Sequence, residues 1–245
     1  MSKRIALVTG GTGGIGAAIC RQLSDDGYQV IAAYSNEEKA KAWQEAQKAD
    51  GYEFGISYMN VGDYESCRTA INTIAEVYGP VSVLVNNAGI TRDGVMKKMS
   101  WEQWHEVLNV NLDSVFNTSK ACLDSMLEMQ FGRIINISSI NGQKGQFGQS
   151  NYSAAKAGMH GFTKALAQET ARKGITVNTI SPGYIATDMI MKIDEPIRNK
   201  IMEGIPVGRF GQPEEIARTV SFLAAENNGF ITGANIAING GQHMC

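Results

Sequence analysis

The 245-residue chain is poor in cysteine and histidine, and its few members of each type do not cluster. The four cysteines, Cys20, Cys67, Cys122 and Cys245, form no Cys-x-x-Cys pair, and none of the three histidines accompanies them. This absence argues against a zinc site, and no metal ligand is predicted. Scattered thiols of this kind are typical of a reduced protein of the cytoplasm.

Long apolar runs and an excess of positive charge are also lacking. The N-terminal run MSKRIALVTGG has a short apolar stretch that glycines interrupt, which predicts a first strand and not a signal peptide. No stretch approaches the length of a membrane span. The formal net charge of −2 gives no general attraction to nucleic acid or anionic lipid. We therefore expect a cytoplasmic protein that binds neither nucleic acid nor membrane.

Short apolar runs alternate with helical patterns along the whole chain. Strands are predicted over residues 4–9, 28–34, 53–59, 81–85, 133–138, 175–180 and 235–238. Helices are predicted over residues 15–25, 37–49, 64–77, 100–129 with a break near Asn111, 152–172, 188–203 and 213–224. Such alternation predicts a parallel sheet covered on both faces. The expected α/β fold is a Rossmann-type, doubly wound sheet of about seven strands in a single domain, 1–245.

A glycine-rich loop follows the first predicted strand and precedes a helix. It reads Thr9-Gly10-Gly11-Thr12-Gly13-Gly14-Ile15-Gly16. Glycines let the backbone approach a pyrophosphate, and the helix that follows offers free N–H groups and the positive end of its dipole. A glycine cluster alone also fits a tight structural turn. Its position between a strand and a helix is what predicts a dinucleotide site.

Tyr152 and Lys156 lie four residues apart in a long predicted helix, so they share one helix face. A ketone that is reduced must gain a proton, and tyrosine is a poor acid near neutral pH. A lysine ammonium about 5 Å away would lower the tyrosine pKa towards the neutral range, which suits general acid and base work. An ordinary exposed helix pair is the alternative interpretation of this spacing taken alone.

A serine pair stands at the end of the fifth predicted strand. Ser139 lies thirteen residues before Tyr152, and its hydroxyl could donate to the oxygen of a ketone as negative charge develops there. Ser138 is the competing residue, and the thirteen-residue spacing favours Ser139. Together with the glycine spacing and the run Asn86-Asn87-Ala88-Gly89, this set resembles the short-chain dehydrogenase/reductase family.

The resemblance spans essentially the whole chain and implies a nicotinamide-dependent oxidoreductase. By this resemblance the catalytic residues are Asn111, Ser139, Tyr152 and Lys156, with Asn111 holding a water in a proton relay to Lys156; Asn109 is its competitor. The implied cofactor contacts are Gly10, Thr12, Gly13, Gly14, Ile15, Gly16, Tyr34, Lys39, Asn60, Val61, Asn87, Ala88, Gly89, Ile90, Tyr152, Lys156, Pro182, Gly183, Ile185 and Thr187. Because members of the family usually form tetramers, a homotetramer is expected.

The residues after the second strand favour NADP(H) over NAD(H). That strand ends in Tyr34-Ser35-Asn36, without the acid that NAD-selective dehydrogenases use for the ribose 2′-hydroxyl. Glu37 and Glu38 follow, but they open the next helix, where acids favour the dipole. Lys39 and Lys41 are near enough to meet a 2′-phosphate, although they could equally form a solvated helix face. The glycine loop lacks the basic residue that NADP-preferring members of the family often carry.

Two segments predict the substrate. Residues 141–152, NGQKGQFGQSNY, and residues 239–244, NGGQHM, resemble the acetoacetyl-CoA reductases of this family, which serve polyhydroxyalkanoate synthesis. The resemblance implies substrate contacts from Asp93, Ser139, Gln146, Phe147, Gly148, Gln149 and Tyr184, with Phe147 closing a short apolar end of the pocket. A loop that merely packs beside the active site is the alternative for residues 141–152.

The expected activity is therefore the NADPH-dependent reduction of a short 3-oxoacyl-CoA, above all acetoacetyl-CoA, to its (R)-3-hydroxyacyl-CoA. One alternative is a 3-oxoacyl-[acyl-carrier-protein] reductase, which has the same chemistry and a protein-borne substrate. The other is a catalytically silent nucleotide-sensing protein, since a fold alone does not establish an activity. The complete set of serine, tyrosine, lysine and asparagine argues against the silent protein.

Overall fold

The computed structural model describes residues 3–244, and its strands form one parallel sheet. The strands are β1 Ile5–Thr9, β2 Gln29–Tyr34, β3 Gly55–Tyr58, β4 Val81–Asn86, β5 Gly132–Ile137, β6 Ile175–Pro182 and β7 Asn235–Ile238. Their order is β3-β2-β1-β4-β5-β6-β7, so the direction of winding reverses between β1 and β4. Ligands of open α/β sheets bind at such a reversal, outside the carboxyl ends of the strands. The predicted seven-stranded Rossmann-type sheet is confirmed.

The helices connect these strands and cover both faces of the sheet. They are α1 Gly14–Asp25, α2 Glu37–Ala49, α3 Tyr64–Tyr78, α4 Trp101–Leu108, α5 Ser114–Met129, α6 Asn141–Lys144, α7 Ser150–Thr170, α8 Asp188–Met191, α9 Glu195–Glu203 and α10 Pro213–Ala224. The single helix predicted over 188–203 is wrong, because α8 and α9 are separate. Residues 192–194 between them are not helical. Pro196 lies in the first turn of α9, a position that proline tolerates.

Two apolar layers lie on the two faces of the sheet. In β1, Ala6 and Val8 pack towards α1 and α10, while Ile5 and Leu7 pack towards α3 and α5. This alternation follows from the two-residue period of a strand. Full burial of one leucine or isoleucine side chain stabilises the fold by about 1.5–3 kcal/mol. The two layers hold the sheet rigidly, so the loops at its carboxyl edge have a fixed base.

A capping box begins α4, as the sequence predicts. The hydroxyl of Ser100 accepts from the backbone N–H of Gln103 at 3.2 Å, and the Gln103 side chain accepts from the Ser100 N–H at 2.9 Å. Between α4 and α5 the chain makes a wider, π-helical turn over Asn109–Asp113. This turn confirms the predicted break near Asn111, and such turns are frequent at functional sites.

Three features bear on the expectations about thiols, metals and membranes. Cys20, Cys67 and Cys122 are buried free thiols, whereas Cys245 lies outside the described residues. Among residues 3–244, no group of histidine, cysteine and acidic side chains could hold a metal ion. Within the same range, none of the helices combines the length and the apolar character needed to cross a bilayer.

Candidate active site

A cleft of about 730 Å³ opens along the carboxyl edge of the sheet, across the reversal between β1 and β4. The glycine loop lines this cleft, and so do Ser139, Tyr152 and Lys156. Every cofactor contact implied by the sequence lines this cleft, with the exception of Lys39. The volume lies in the range of cofactor and ligand sites in proteins.

The glycine loop presents the N-terminus of α1 to the cleft. Gly13 is the residue before the helix, no side chain caps the helix, and its first turn carries no acid. The free N–H groups and the positive end of the dipole therefore remain available to an anion. Gly10 has a φ of +60°, and a Cβ there would lie 3.1 Å from Cα of Ala88. The residues present thus fit the pyrophosphate of a nicotinamide dinucleotide.

Asn87 fastens this loop to the end of β4. Its side-chain amide donates to the carbonyls of Thr9 at 3.0 Å and Gly10 at 3.2 Å. The Thr9 hydroxyl in turn accepts from the backbone N–H groups of Asn87 and Ala88, each at 3.0 Å. Asn87 lines the cleft as predicted. Its role in holding the loop is one that the sequence did not indicate.

Helix α7 places Tyr152 and Lys156 on one face, towards the cleft. The Lys156 ammonium nitrogen lies 5.5 Å from the centre of the Tyr152 ring and donates to the carbonyl of Ile137 at 2.8 Å. Ser139 follows β5 directly, and its hydroxyl oxygen accepts from the N–H of Asn141 at 3.1 Å. Because an N–H fills one acceptor position of the Ser139 oxygen, its proton is left to point at another acceptor.

The two neighbouring serines have different partners, and this difference supports the choice of Ser139. The Ser138 hydroxyl donates to the backbone carbonyl of Lys156 at 2.8 Å. A hydroxyl has a single proton, so Ser138 has none left for a substrate. The hydroxyl of Ser139 instead lies close enough to Tyr152 to lower the pKa of its phenol. Both serines border the cleft, but only Ser139 can donate into it.

Asn111 is buried within the π-helical turn, where both atoms of its amide have hydrogen-bond partners. The amide nitrogen donates to the carbonyls of Ile90 at 2.9 Å and Val107 at 2.8 Å, and the amide oxygen accepts from the Ile90 N–H at 3.3 Å. The side chain therefore fixes the loop that follows β4 against the turn. A water-mediated relay from Asn111 to Lys156 remains a prediction.

The surroundings of Gly89 show that Asn111 and Lys156 approach the same point. A Cβ on Gly89 would lie 2.6 Å from the amide oxygen of Asn111 and 3.5 Å from the ammonium nitrogen of Lys156. Asn109, the competing candidate, faces Gly62 instead, where an added Cβ would lie 2.6 Å from its amide nitrogen. The geometry favours Asn111 as the member of the catalytic set.

The expectation that Lys156 lowers the pKa of Tyr152 is wrong for the protein without ligands. Burial raises the pKa of the Tyr152 phenol; the hydrogen bond from Ser139 opposes that rise, and the Asp93 carboxylate adds to it. Burial also lowers the pKa of Lys156 from 10.5 to about 7. The sequence argument assumed a permanently charged lysine. Desolvation removes much of that charge near neutral pH, and with it the attraction for a tyrosinate.

A buried lysine of this kind predicts a pH-dependent stability. The unfolded chain has an ordinary lysine pKa of about 10.4, so between pH 7 and pH 10 it binds more protons than the folded protein does. Lys156 therefore destabilises the fold fully below pH 7, and the penalty disappears as the pH rises towards 10. Lys156→Met should therefore raise the free energy of unfolding above that of wild type, and this difference should be larger at pH 7 than at pH 9.

Urea unfolding at pH 7 and pH 9 checks this prediction. Lys164→Met, at an exposed position of the same helix, is the matched control and should show no such pH dependence. A difference between Lys156→Met and wild type that is equal at both pH values would contradict the lowered pKa.

The predicted substrate residues divide into two groups. Ser139, Gln149 and Tyr184 line the cleft, whereas Asp93, Gln146, Phe147 and Gly148 do not. The Gln149 side chain links the groups, because its amide nitrogen donates to both carboxylate oxygens of Asp93 at 3.0 Å. Its amide oxygen accepts from the Asn141 side chain at 2.9 Å. Asp93 thus stands at the mouth of the cleft and orients a residue that lines it.

The structure corrects the expectation for Phe147. Its side chain is 87 % exposed and does not close the apolar end of the cleft. Gly148 instead joins two loops, since its carbonyl accepts from the N–H of Gly94 at 2.8 Å. Gln146 accepts from the ammonium of Lys144 at 3.2 Å. A direct contact of Gln146, Phe147 or Gly148 with the substrate stays a prediction.

Lys39 lies in the first turn of α2, exposed and outside the cleft. Its backbone N–H donates to the side chain of Asn36, which caps the helix, at 2.9 Å. The ammonium of Lys41 pairs with Glu37 at 2.6 Å, whereas none of the described salt bridges involves Lys39. Of the two lysines, Lys39 is the one left available to an anion beyond Tyr34.

The cleft also includes residues that were not predicted as catalytic, cofactor or substrate contacts. These are Ala33, Ser35, Met59, Thr91, Glu106, Val110, Ile137, Ser138, Ile140, Asn141, Asp188 and Ile190. Most of them directly adjoin predicted residues at strand ends, so position along the strand could have indicated them. Glu106 could not have been found in this way, because it lies in α4 and not at a strand end. An ion pair with Arg92 at 2.6 Å holds it at the cleft.

The chain is similar over most or all of its length to known short-chain dehydrogenases. The family model described as short chain dehydrogenase matches residues 4–198. An acetoacetyl-CoA reductase from Cupriavidus necator is 54 % identical over 245 residues, which cover 100 % of both chains. Nodulation protein G from Azospirillum brasilense is 53 % identical over 242 residues, 98 % of each chain. A 3-oxoacyl-[acyl-carrier-protein] reductase from Haemophilus influenzae is 45 % identical over 246 residues, 100 % of each chain.

Proposed function

The chain belongs to the short-chain dehydrogenase family of oxidoreductases, and from this premise we propose that it is an NADPH-dependent acetoacetyl-CoA reductase. The product is the (R)-3-hydroxyacyl-CoA, a precursor for polyhydroxyalkanoate synthesis. The observation that carries the proposal is that Ser139, Tyr152 and Lys156 line the same cleft as the glycine loop. The acetoacetyl-CoA reductase that is 54 % identical over the full length supports the substrate.

The chain's own residues supply the proton and the polarisation that the reaction needs. When bound, NADPH supplies a hydride for the ketone carbon. Ser139, held by the Asn141 N–H, donates to the ketone oxygen and stabilises the charge that develops there. Tyr152 then gives its phenol proton to the same oxygen, which completes the alcohol and leaves a tyrosinate.

Lys156 restores the system to its starting state. Because the pKa of Lys156 is about 7, its amine can gain and lose a proton near neutral pH. A tyrosinate beside it favours the ammonium form, so Lys156 becomes charged once Tyr152 has given up its proton. The Lys156 ammonium gives a proton back to the tyrosinate, and the resulting amine regains one from solvent water, with Asn111 beside Lys156 at Gly89. We propose that a water molecule links Asn111 to Lys156.

The cofactor preference gives a direct prediction. We expect wild-type protein to have a higher kcat/KM with NADPH than with NADH. The residues at the end of β2, Tyr34 and Ser35, are not acidic, so no carboxylate there favours the ribose 2′-hydroxyl of NADH. Lys39→Glu should reduce the preference by about tenfold, since one charged contact to a phosphate is worth about 1.4 kcal/mol. Steady-state rates with both cofactors measure it.

Lys48→Glu is the matched control for this charge reversal. Lys48 is an exposed residue in the last turn of the same helix, away from the cleft, and its replacement should leave the ratio unchanged. A wild-type preference for NADH would contradict the proposed cofactor and leave the hydride chemistry untouched.

The charges around the cleft favour a CoA thioester over a carrier protein. A CoA substrate ends in a phosphorylated nucleotide, which a few basic side chains at the mouth suffice to bind. Lys97 and Lys98 are exposed on the loop that also carries Asp93, and neither takes part in the described salt bridges. Arg92 is held by Glu106 and Lys144 by Gln146. Lys97 and Lys98 therefore have no counter-ion among the described salt bridges, and Lys144 also keeps its charge, because the Gln146 amide is neutral.

A carrier protein presents an acidic helix and requires a broader basic face. At the end of α5, the surface residues Glu128 and Gln130 offer none. Arg133, the remaining basic residue of that segment, is buried at 2 % exposure and donates to the carbonyls of Gly174 and Glu226. Arg133 is therefore structural and cannot dock a partner.

Relative kinetics test the substrate assignment. We expect acetoacetyl-CoA to have a higher kcat/KM than acetoacetyl-carrier protein. Replacing both Lys97 and Lys98 by glutamate should lower kcat/KM for acetoacetyl-CoA by about tenfold, mainly through KM. The acetoacetyl thioester of N-acetylcysteamine lacks the nucleotide phosphates and should be unaffected by the same change.

An advantage of tenfold or more for the carrier-protein thioester would instead assign the chain to fatty-acid synthesis. An equal loss on both small thioesters would mean that the two lysines act on the cleft and not on the nucleotide.

We also propose that the protein is a cytoplasmic homotetramer. Phe230 is fully exposed and Phe222 is 49 % exposed, near one end of the sheet, and burying such side chains would favour association. The buried free thiols fit a reducing compartment. Light scattering of the purified protein measures the assembly, and a monomeric mass would contradict it.

A further inference from the structure

His160 stands directly behind the proposed catalytic residues, yet nothing in the reaction so far uses it. It follows Lys156 by four residues and Tyr152 by eight, so all three share one face of α7. The side chain is half-buried, and burial together with Lys164 lowers the pKa of its imidazole. The ring is therefore neutral at physiological pH, and its single N–H proton can sit on either nitrogen.

The partners of the ring determine where that proton is. The Nε2 atom of His160 lies 3.0 Å from the Ser138 hydroxyl oxygen and 3.3 Å from that of Ser181. The Ser138 hydroxyl already donates to the carbonyl of Lys156, and a carbonyl can only accept. Ser138 must therefore accept from His160, which requires the proton on Nε2. Ser181 also accepts, because its own proton goes to the Asn235 side chain at 2.7 Å.

One N–H group thus joins three segments that form the site. Ser138 precedes Ser139 at the end of β5, and Ser181 precedes Pro182 and Gly183 in the lining of the cleft. Backbone hydrogen bonds to β6 flank Ser139 on both sides. The N–H of Ser138 donates to the carbonyl of Ile180 at 2.7 Å, and that of Ile140 donates to the carbonyl of Pro182 at 2.8 Å. The contacts of His160 link this pair of strand ends to α7 at the position of Lys156.

We propose that His160 is a positioning residue, whose Nε2–H fixes the Ser138 hydroxyl on the Lys156 carbonyl and so sets the spacing between Ser139 and the face that carries Tyr152. The inference rests on the proposed function. A displacement of reacting groups by 1 Å can cost about a hundredfold in rate. A side chain that holds Ser139 and Tyr152 in register therefore affects the rate without touching the substrate.

Two substitutions separate positioning from packing. His160→Leu removes the N–H donor and keeps an apolar side chain of moderate size, whereas His160→Gln keeps an N–H donor near the place of Nε2. We expect His160→Leu to lower kcat by roughly tenfold, with little change in KM for NADPH, and His160→Gln to recover most of it. His105→Leu, at an exposed position of α4, is the control and should keep wild-type kcat.

Wild-type kcat in His160→Leu, or equal losses in both His160 variants, would overturn the proposal. If His160→Leu does not fold, Ser138→Ala carries the test, because it removes the acceptor and keeps the histidine. The variant with both Ser138→Ala and His160→Ala should then be no slower than Ser138→Ala alone, since the two residues act through one bond. Additive losses would show that they act independently.

The tautomer itself can be measured without any substrate. In protein labelled with ¹⁵N-histidine, long-range ¹H–¹⁵N correlations show which ring nitrogen carries the proton, and His160→Gln identifies the signal. We expect protonation at Nε2; protonation at Nδ1 would overturn the inference. Failure of the proposed function would appear separately, as wild-type protein that does not reduce acetoacetyl-CoA.

Discussion

Replacement of Tyr152 by phenylalanine is expected to lower kcat for acetoacetyl-CoA reduction by at least about a hundredfold, the usual scale of general acid catalysis. The phenol is the proton donor that Ser139 contacts on the face of α7, and the replacement removes only its hydroxyl. Affinity for NADPH should be largely retained, because the ring that borders the cleft remains. Steady-state kinetics and a fluorescence titration with NADPH measure the two effects.

Tyr64→Phe is the matched control for the loss of a phenol. Tyr64 begins α3 and does not border the cleft, so kcat should be unchanged. A Tyr152→Phe protein with near-wild-type kcat would mean that another group supplies the proton.

Gly16→Ala is expected to raise the dissociation constant for NADPH by about a hundredfold. A Cβ at this position would overlap the carbonyl oxygen of Gly10 and lie 2.9 Å from both Cα of Gly11 and the amide nitrogen of Asn87. Non-bonded heavy atoms normally sit about 3.5–4.0 Å apart, so the loop backbone must move. A shift of about 1 Å in a binding loop is enough for an effect of this size.

The control for this substitution is Gly161→Ala. Gly161 lies within α7, and a Cβ there has nothing within 4 Å. Alanine should stabilise the helix by about 1 kcal/mol and leave NADPH binding unchanged. Calorimetric titration of both variants checks the pair. Wild-type affinity in Gly16→Ala would mean that the glycine loop does not bind the cofactor.

The sheet and the cleft could be predicted because their signals are local. Apolar runs mark the strands, the glycine loop marks the first crossover, and strand ends meet at one edge in any parallel sheet. For this reason the residues implied for the cofactor site, with the exception of Lys39, do line one cleft. The capping box at Ser100 was predictable on the same basis, since it depends on two residues three apart.

The pKa of Tyr152 could not be predicted, because it depends on burial. Spacing on a helix gives the distance to Lys156, and it gives no information on how far either group is removed from water. Desolvation raises the pKa of the phenol and lowers that of the lysine, which reverses the effect expected from their distance alone. The same limit applies to Phe147, whose exposure depends on how its loop packs.

Contacts between distant segments were also beyond the sequence. Asn87 holds the glycine loop from the end of β4, Arg133 donates to backbone carbonyls of distant segments, and His160 contacts two serines from different strands. Each of these side chains is ordinary in its local context. Their roles come from strand order and register, which place residues far apart in sequence next to each other.

The central claim is that this cleft transfers hydride from NADPH to C3 of acetoacetyl-CoA and protonates the resulting oxygen. The most direct test uses NADPH that carries deuterium at both C4 positions of the nicotinamide, followed by mass spectrometry and chiral analysis of the product. We expect 3-hydroxybutyryl-CoA with one deuterium at C3 and the R configuration. A product without deuterium at C3, a product of S configuration, or no turnover at all would contradict the account.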